Sequence, residues 1–426
     1  MFRATQYVRE SFAEVFRRLS NVSMRSWILL FLGPMYTFFG TWMSGISTTI
    51  RIVSSIPLVM VIGWSLFADV VKKPSGTWIT KIVMAWVILF IAMTIVVVPK
   101  DRLHDELLLT EASLQKITSG VDPYAADFRG TVVDQWYGHP THESYVNGVY
   151  PAWDHYVYLP GFFVISIPFY AVAHGVAGWY DQRLIYLLAY AAILAGAWTQ
   201  LRKSPIREPL TVILALNPFL TTASYGFNDL LPVMLLMITG LALAKKRTYL
   251  AAGAYGLALA TKQTMLLTVP FLLPPFIRIV RDTSRSLTRA VSIVFGVMAA
   301  VIVPFLLWSS WNMYDDTVRF FYGSSAYPVS GEGISAILLK IGVVKADQYY
   351  PFWLLQLVIA VPLMVVFWRW ARRQSSLTGP FLAATGAISV FWFFSRYFLP
   401  AHAYVIILLV IISFVIGEAQ RSHDAP

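Results

Sequence analysis

The chain has 426 residues, of which 57% are hydrophobic and only 13% are charged. Charged residues make up about a quarter of a soluble domain, so this composition excludes an ordinary soluble protein. The net charge of +11 lies in short basic clusters between apolar segments, as in cytoplasmic loops of membrane proteins, which argues against nucleic-acid binding. The absence of cysteine excludes disulfides, thiolate metal ligands and cysteine nucleophiles.

Apolar segments long enough to cross a hydrocarbon core of ~30 Å recur along the whole chain. About twelve such segments predict an all-α polytopic membrane protein whose N-terminus and C-terminus both lie in the cytoplasm. The predicted spans lie near residues 26–46, 52–70, 79–98, 183–200, 208–224, 229–245, 248–262, 264–281, 288–309, 350–370, 378–397 and 399–417.

These spans divide the chain into five expected regions. The first 25 residues are polar and basic and carry no signal-peptide pattern. The regions are a cytoplasmic N-terminal segment 1–25, the first three transmembrane helices 26–98, an outer loop with an interfacial helix 99–182, the remaining transmembrane helices 183–418 with a second outer loop 310–349, and a cytoplasmic tail 419–426.

The predicted outer loop at residues 99–157 is acidic and rich in aromatic side chains. Disordered segments contain few aromatic residues, so we expect this loop to fold, as short helices on the membrane surface. Within it, Glu106–Ile117 has the spacing of an amphipathic helix, and Ser119-Gly120 is a natural stop signal.

The apolar stretch Leu159–Val176 directly follows this loop. Counting it as a full span would place Arg202, Lys203 and Arg207 outside the cell, against the positive-inside rule. We therefore expect a re-entrant or interfacial helix at the outer surface.

The tripeptide His104-Asp105-Glu106 follows the end of a predicted span. A carboxylate at a membrane boundary can serve as a general base, because partial burial raises its pKa towards the working pH. The alternative is that Asp105 or Glu106 only caps the following helix, whose N-terminal dipole favours negative charge.

A second group of polar residues lies where charge is unfavourable. Lys262 lies between two apolar segments, and Arg396, Asn228 and Asp229 lie at predicted outer ends of spans. Ionisable groups at such depth are functional candidates, and two cations facing one cavity would suit a lipid phosphate. The alternatives are snorkelling to the interface or a Lys262–Asp229 pair that serves packing alone.

The histidines of the outer loop give a weaker signal. His139 and His142, with His104 and His155, could ligate a metal, but loop histidines are more often solvated or hydrogen-bonded. A P-loop, a GxGxxG after a strand, an HExxH motif and a nucleophile elbow are all missing from the sequence, so ATP-driven pumping and nicotinamide chemistry have no support.

Several short motifs follow one another in a fixed order after the third predicted span. They are Asp105-Glu106 followed by a helix, Ser119-Gly120-Val121-Asp122-Pro123-Tyr124, Tyr156-Val157-Tyr158-Leu159-Pro160-Gly161, Asn228-Asp229-Leu230-Leu231, the small-residue run 253–260 leading into Thr261-Lys262, and Arg396-Tyr397-Phe398-Leu399-Pro400. Their order resembles the GT-C superfamily, membrane glycosyltransferases that use polyprenyl-phosphate-linked sugars, and residues 156–161 are similar to its mannosyltransferase branch. The resemblance covers the chain from about residue 79 onward, although two extra spans precede it and Leu109 stands where many relatives have tyrosine.

The resemblance implies a role for individual residues. Asp105 would be the catalytic base, with Glu106 in support. Lys262 and Arg396 would stabilise the donor phosphate as it leaves. The expected supporting residues are Asp101, Asn228, Asp229 and Tyr397.

The resemblance further implies a multi-pass enzyme of the plasma (inner) membrane with its active site on the outer face. It would move a sugar from a polyprenyl-phosphate donor to a lipid, glycan or protein acceptor. No cofactor would be required, although some relatives use a divalent metal. A transporter or lipid flippase is the alternative from another class, but transporters often show two repeated halves, and the sequence shows no internal repeat. A glycan polymerase or ligase would share the topology.

Overall fold

The computed structural model describes residues 22–35, 48–72, 76–100, 103–137, 151–217, 225–320 and 329–424. Asp101, His139 and His142 lie outside these residues. The chain forms two compact units, one comprising Met1–Val98 and Leu194–Ser224 and the other Pro99–Ile193 and Tyr225–Pro426.

The described residues are mainly helical, as the sequence predicts. The α-helices are α1 Met24–Met35, α2 Thr48–Val70, α3 Trp78–Val97, α4 Asp105–Thr118, α5 Val132–Tyr137, α6 Gly161–Ala177, α7 Arg183–Gln200, α8 Arg207–Ala215, α9 Leu230–Ala244, α10 Thr248–Leu259, α11 Val269–Asp282, α12 Leu287–Tyr314, α13 Ile334–Lys340, α14 Phe352–Leu355, α15 Val361–Ala371, α16 Thr378–Phe393 and α17 Pro400–Asp424.

Short elements of other types join these helices. Two residues of β1, Ser330–Gly331, pair in parallel with two residues of β2, Tyr397–Phe398. The remaining elements are 3₁₀ turns at Pro151–Trp153 and Gln263–Thr268 and π turns at Asp315–Arg319 and Gln356–Ala360.

Six helical segments among the described residues are long and apolar enough to cross a membrane. This confirms an all-α membrane protein, while the count of about twelve spans stays a prediction. The segments are Ile52–Val70, Trp78–Val97, Gln263–Asp282, Leu287–Arg319, Phe352–Ala371 and Pro400–Asp424, and the shorter apolar helices are α6, α9, α10 and α16.

In the unit that contains α1, α2, α3 and α8, polar side chains tie the helix ends together. The carboxylate of Asp69 accepts hydrogen bonds from the hydroxyls of Ser23 at 2.7 Å and Ser26 at 2.5 Å. Arg25 pairs with Glu208 and also donates to the carbonyl of Gly76. Buried or half-buried charges in apolar surroundings need such partners, so these contacts fix the helix ends within this unit.

The other unit is built from helices that pack closely through small side chains. A core cluster combines Phe271 with Ala371, Ala383, Ala384 and Ala387. The alanines allow α15 and α16 to approach each other and α11, as small residues do in membrane helix bundles.

Two helices of the predicted outer loop begin and end close to the expected positions. α4 spans residues 105–118, and Gly120 follows it with a φ of +75°, as expected from the Ser119-Gly120 stop signal. α6 begins at Gly161 and ends at Ala177, over the stretch expected to form an interfacial helix. Its position relative to a membrane stays a prediction.

The helix of the predicted span 288–309 continues beyond residue 309. Ser309 departs from helical geometry, with φ −156° and ψ 73°, but the helix resumes and continues to Tyr314. A π turn then carries the chain to Arg319. The first ten residues of the predicted loop 310–349 are therefore helical, because one distorted residue bends a long helix without ending it.

Candidate functional site

The N-terminus of α4 presents two acidic residues in its first turn. His104 has an extended backbone and precedes the helix, and its Nδ1 accepts a hydrogen bond from the Glu106 N–H at 3.3 Å. Asp105 and Glu106 then occupy positions that the helix dipole favours for negative charge. The N-cap is therefore His104, and the two acids act on the helix through its dipole rather than as the capping residue.

His104 has a second partner that sets its protonation. Its Nδ1 lies 2.8 Å from Oδ1 of Asp105. Burial opposes the proton on His104, but the charges of Asp105 and Glu106 outweigh burial and raise the pKa of the imidazole above its ordinary value. In the protonated form Nδ1 donates to Asp105, and in the neutral form it can cap α4.

The segment 225–229 packs directly against this turn. The His104 N–H donates to the Tyr225 carbonyl at 2.8 Å, and the His104 ring lies 4.2 Å from the ring of Phe227. Gly226 has a φ of +101°, and a Cβ there would lie 2.7 Å from the Cβ of Leu107. Only glycine permits both this backbone conformation and this close approach.

Glu106 joins α4 to the Asn228-Asp229 pair. Its Oε2 accepts a hydrogen bond from the backbone N–H of Asn228 at 3.1 Å. Lys262 Nζ donates to Oδ1 of Asn228 at 3.0 Å and to Oδ1 of Asp229 at 2.7 Å. All four residues are buried, and Glu106 lies within electrostatic range of Lys262. Four of the residues singled out from the sequence therefore form one cluster.

Two donors in this cluster have capacity left for a ligand. The Nδ2 atom of Asn228 is buried, and it has no hydrogen-bond partner among the described residues. An ammonium group has three protons, and Asn228 and Asp229 accept from Lys262. Because Asp229 balances its charge, Lys262 is not an isolated cation.

The end of the predicted outer loop holds Lys262 in place. The Gly161 N–H donates to the Ala260 carbonyl at 2.9 Å, and a Cβ on Gly161 would lie 2.5 Å from that oxygen. Gln263 Nε2 donates to the Val157 carbonyl at 2.9 Å. The Tyr158 ring lies 5.5 Å from Lys262 Nζ. The chain on either side of Lys262 is thus fixed to residues 157–161.

Arg396 lies on a different segment, between α16 and α17. It is buried, its Nη2 donates to the Phe320 carbonyl at 2.5 Å, and its guanidinium lies 5.8 Å from the centre of the Phe320 ring. Tyr397 belongs to β2, and its N–H donates to Ser395 Oγ at 3.2 Å. Arg396 therefore contacts the segment that follows α12.

His402, which the sequence analysis did not single out, links this segment to the cluster. It lies in the first turn of α17, where its Nδ1 accepts from the Leu399 N–H at 3.0 Å and its ring stacks on Trp392 at 4.5 Å. The imidazole is within electrostatic range of Asp229, Lys262 and His104. A histidine two residues after a proline carries no sequence signal, so only the tertiary fold reveals it.

A second buried network, also missed from the sequence, supports the middle of α4. Glu111 accepts hydrogen bonds from Lys100 and from the Gln182 N–H. Gln182 Nε2 donates to Ser166 of α6 at 3.0 Å. Burial raises the pKa of Glu111 to about 7, although the nearby Lys100 opposes the shift. This network fixes α4 to α6 and to the start of α7.

The described loop histidines have separate partners. His104 contacts Asp105, whereas His155 contacts Asp316 at 2.6 Å. The other two histidines of the hypothesised metal site, His139 and His142, lie outside the described residues, as does Asp101.

A comparison with protein-family models assigns the chain to a family. The family model described as glycosyltransferase family 87 matches residues 156–395, more than half of the chain. The match includes Asn228, Asp229 and Lys262, whereas Asp105 and Glu106 precede it and Arg396 directly follows it. Neither the curated proteins nor the solved structures gave a match. The chain therefore belongs to glycosyltransferase family 87, in the GT-C-like group of membrane glycosyltransferases.

Proposed function

We propose that the protein is a GT-C-type enzyme that transfers a sugar from a polyprenyl-phosphate donor to an acceptor at the outer face of the plasma membrane. The observation that carries the proposal is the hydrogen bond of Glu106 to Asn228, which brings the acidic turn of α4 to the Asn228-Asp229-Lys262 cluster. A base and a phosphate-binding group would then lie side by side, as sugar transfer from a lipid phosphate requires.

Asp105 is the proposed base. Its side chain is 24% exposed, so an acceptor hydroxyl can reach it, and its carboxylate is held by His104. Glu106 is buried and its Oε2 holds Asn228. This difference in exposure supports the assignment of Asp105 to the chemistry and Glu106 to the support of the cluster.

Lys262 and Arg396 are the proposed partners of the donor phosphate. The Nδ2 atom of Asn228 and the remaining proton of Lys262 would donate to phosphate oxygens, which are strong acceptors. Because Asp229 already balances the charge of Lys262, Lys262 would stabilise the phosphate mainly by hydrogen bonding. Arg396 would supply the further positive charge. Tyr397 supports the Arg396 segment, and Asp101 stays an expected supporting residue.

The proposed reaction is a direct displacement at the anomeric carbon. Asp105 takes the proton from the acceptor hydroxyl, whose oxygen forms a bond to that carbon. The bond between the anomeric carbon and the phosphate oxygen breaks, and polyprenyl phosphate leaves with the negative charge. Donors at Asn228 and Lys262 stabilise this charge as it develops. The step requires no cofactor.

Family membership favours a transferase over the transporter or flippase that the span pattern alone would also allow. A glycan polymerase or ligase would use the same cluster with a lipid-linked oligosaccharide as donor. A comparison of monosaccharide and oligosaccharide donors distinguishes the proposed sugar transfer from the polymerase or ligase reaction.

The direct test uses the full-length protein in proteoliposomes with an acceptor extract of the cell envelope. Polyprenyl-phosphate monosaccharides, lipid-linked oligosaccharides and nucleotide sugars are offered in parallel. We expect transfer, with release of polyprenyl phosphate, from the monosaccharide carriers alone. Transfer from nucleotide sugars would contradict the proposal, and transfer of whole oligosaccharides would replace it by the ligase reaction.

A further inference from the structure

Three side chains of types that can ligate metals lie close together, and none of them belongs to the Lys262 cluster. His155 lies at the end of the predicted outer loop, and Asp315 and Asp316 lie in the π turn that directly follows α12. One ligand atom from each residue lies within 4.8 Å of the other two. The loop and the helix end are 161 residues apart in sequence, so the cluster depends on the fold.

α12 and the π turn that follows it form one long helical segment, and the two aspartates lie beyond its apolar part. The segment Leu287–Arg319 has 33 residues, whereas about 20 helical residues cross a membrane. The two aspartates lie in the π turn at its end, and single π turns in helices are frequent at functional sites. Of the two adjacent carboxylates there, Asp315 is partly exposed and Asp316 is buried.

The burial of the three side chains suits a bound ion with an entry path. The Asp316 side chain is 3% exposed, and its Oδ2 accepts a hydrogen bond from the Tyr156 N–H at 2.8 Å. The side chains of His155 and Asp315 are partly exposed. Asp316 is therefore a fixed, buried carboxylate, and an ion can reach it from water past His155 and Asp315.

We propose that His155, Asp315 and Asp316 bind a first-row divalent cation, Mn²⁺ or Zn²⁺. One imidazole and two carboxylates suit these ions, because Mg²⁺ and Ca²⁺ prefer oxygen ligands alone. Ligand atoms bound at about 2.1 Å from one ion lie about 3 to 4 Å apart. The ligand atoms now lie within 4.8 Å of one another, so the widest separation must shorten by about 1 to 2 Å when the ion binds.

Two existing contacts must be exchanged when the ion binds. His155 Nδ1 and Asp316 Oδ1 lie 2.6 Å apart and share a hydrogen bond. The ion replaces the Nδ1 proton, which passes to solvent. Asp315 exchanges its ion pair with Arg319 for the ion. The Arg319 side chain is 58% exposed, and exposed pairs of this kind contribute little free energy, so the exchange is favourable.

The ion would act as a positioning group. Tyr156 is bonded to Asp316, and Gln263 Nε2 donates both to the Val157 carbonyl at 2.9 Å and to the Thr317 carbonyl at 3.0 Å. A cation at the cluster would strengthen this junction, whose Gln263 directly follows Lys262. This role is separate from the proposed transfer step.

The test measures binding of Mn²⁺ alone to chelator-treated full-length protein, by electron paramagnetic resonance, with Zn²⁺ competition and with Mg²⁺ as the oxygen-preferring comparison. We expect one Mn²⁺ per chain with a Kd below about 100 μM, and nitrogen coupling from His155. Absence of stoichiometric binding below about 1 mM would overturn the proposal.

Two variants change the affinity in opposite directions. Asp315→Asn keeps the His155–Asp316 contact and should weaken Mn²⁺ binding by at least about tenfold. Arg319→Ala removes the competing cation and should strengthen it. Asp127→Asn, at an exposed acid of the same loop, is the matched control and should bind as the unmodified protein does. Equal affinity in all four proteins would overturn the proposal.

A thermal measurement gives a second readout without any sugar. Mn²⁺ at about ten times the Kd of the unmodified protein should raise the Tm of that protein and of Asp127→Asn, and should raise the Tm of Asp315→Asn by clearly less. Since neither measurement involves donor or acceptor, failure here leaves the proposed transfer reaction untouched, and failure of transfer leaves the ion site untouched.

Discussion

The Glu106 carboxylate accepts a hydrogen bond from the backbone N–H of Asn228 at 3.1 Å, across 122 residues of sequence. This contact joins the first turn of α4 to the residues that hold Lys262. Both residues are buried, so water cannot replace either partner. The contact determines where the proposed base lies relative to the proposed phosphate site.

Glu106→Ala should destabilise the protein by about 1–3 kcal/mol, because it leaves the buried Asn228 N–H without an acceptor. Glu106→Gln retains an acceptor oxygen and should recover most of that free energy. Thermal unfolding in detergent measures the difference. Equal loss of stability in both variants would show that the hydrogen bond contributes little.

The Lys262–Asp229 pair gives a prediction about buried charge. Lys262→Met should destabilise the protein by about 3–5 kcal/mol, because it leaves Asp229 charged and unpaired. The double variant Lys262→Met/Asp229→Asn removes both charges and should recover much of this loss. The free energies of unfolding of the single and double variants, compared with that of the unmodified protein, form a double-mutant cycle.

Donor binding by the same double variant separates structure from function. If Lys262 binds the donor phosphate, the double variant stays folded and binds the polyprenyl-phosphate sugar at least about tenfold more weakly. Unchanged donor affinity in the folded double variant would return Lys262 to a purely structural role.

Gly161 gives a prediction about the junction beside Lys262. Gly161→Ala would place a Cβ 2.5 Å from the Ala260 carbonyl oxygen, so the backbone next to Lys262 must shift. We expect lower stability and a large loss of transfer. Gly175→Ala in the same helix is the control, because a Cβ there meets nothing within 4 Å; it should be neutral or slightly stabilising. Equal behaviour of the two variants would contradict the close approach.

The raised pKa of Glu111 predicts a pH dependence of stability. Burial raises this pKa from 4.5 to about 7 despite the opposing Lys100, so the folded state holds the proton more tightly than the unfolded state does. The resulting stabilisation is fully present below about pH 4.5 and is lost as the pH rises through about 7. The free energy of unfolding of Glu111→Gln should therefore depend less on pH across this window. If the free energy of unfolding changed equally with pH in Glu111→Gln and in the unmodified protein, the raised pKa of Glu111 would be contradicted.

Local patterns were enough to predict the helices around the site. The amphipathic spacing of Glu106–Ile117 and the Ser119-Gly120 stop predicted α4, and the apolar stretch Leu159–Val176 predicted α6. These signals lie within one helix and its ends, where sequence reasoning is strongest. The position of Lys262 between two apolar segments marked it as a functional candidate, because a charge is unfavourable there.

The contacts that assemble the site could not be predicted in this way. The hydrogen bond of Glu106 to a backbone N–H, the approach of His402, and the pairing of Glu111 with Lys100 all depend on tertiary packing. The helical extension to Tyr314 was missed because the apolar pattern fades near Ser309 while the helix continues. The sequence left open whether Lys262 snorkels to the interface or pairs with Asp229, and the fold shows the pair.

The central claim is that Asp105 is the base, and Asp105→Asn tests it most directly. The variant and the Asp127→Asn control are reconstituted at equal amounts, and transfer from a polyprenyl-phosphate sugar is measured beside equilibrium donor binding. General-base catalysis contributes about 10²–10⁴-fold, so we predict a loss of kcat of that size with donor affinity unchanged and with normal transfer by the control. Transfer by Asp105→Asn within a few-fold of the unmodified rate would contradict the account.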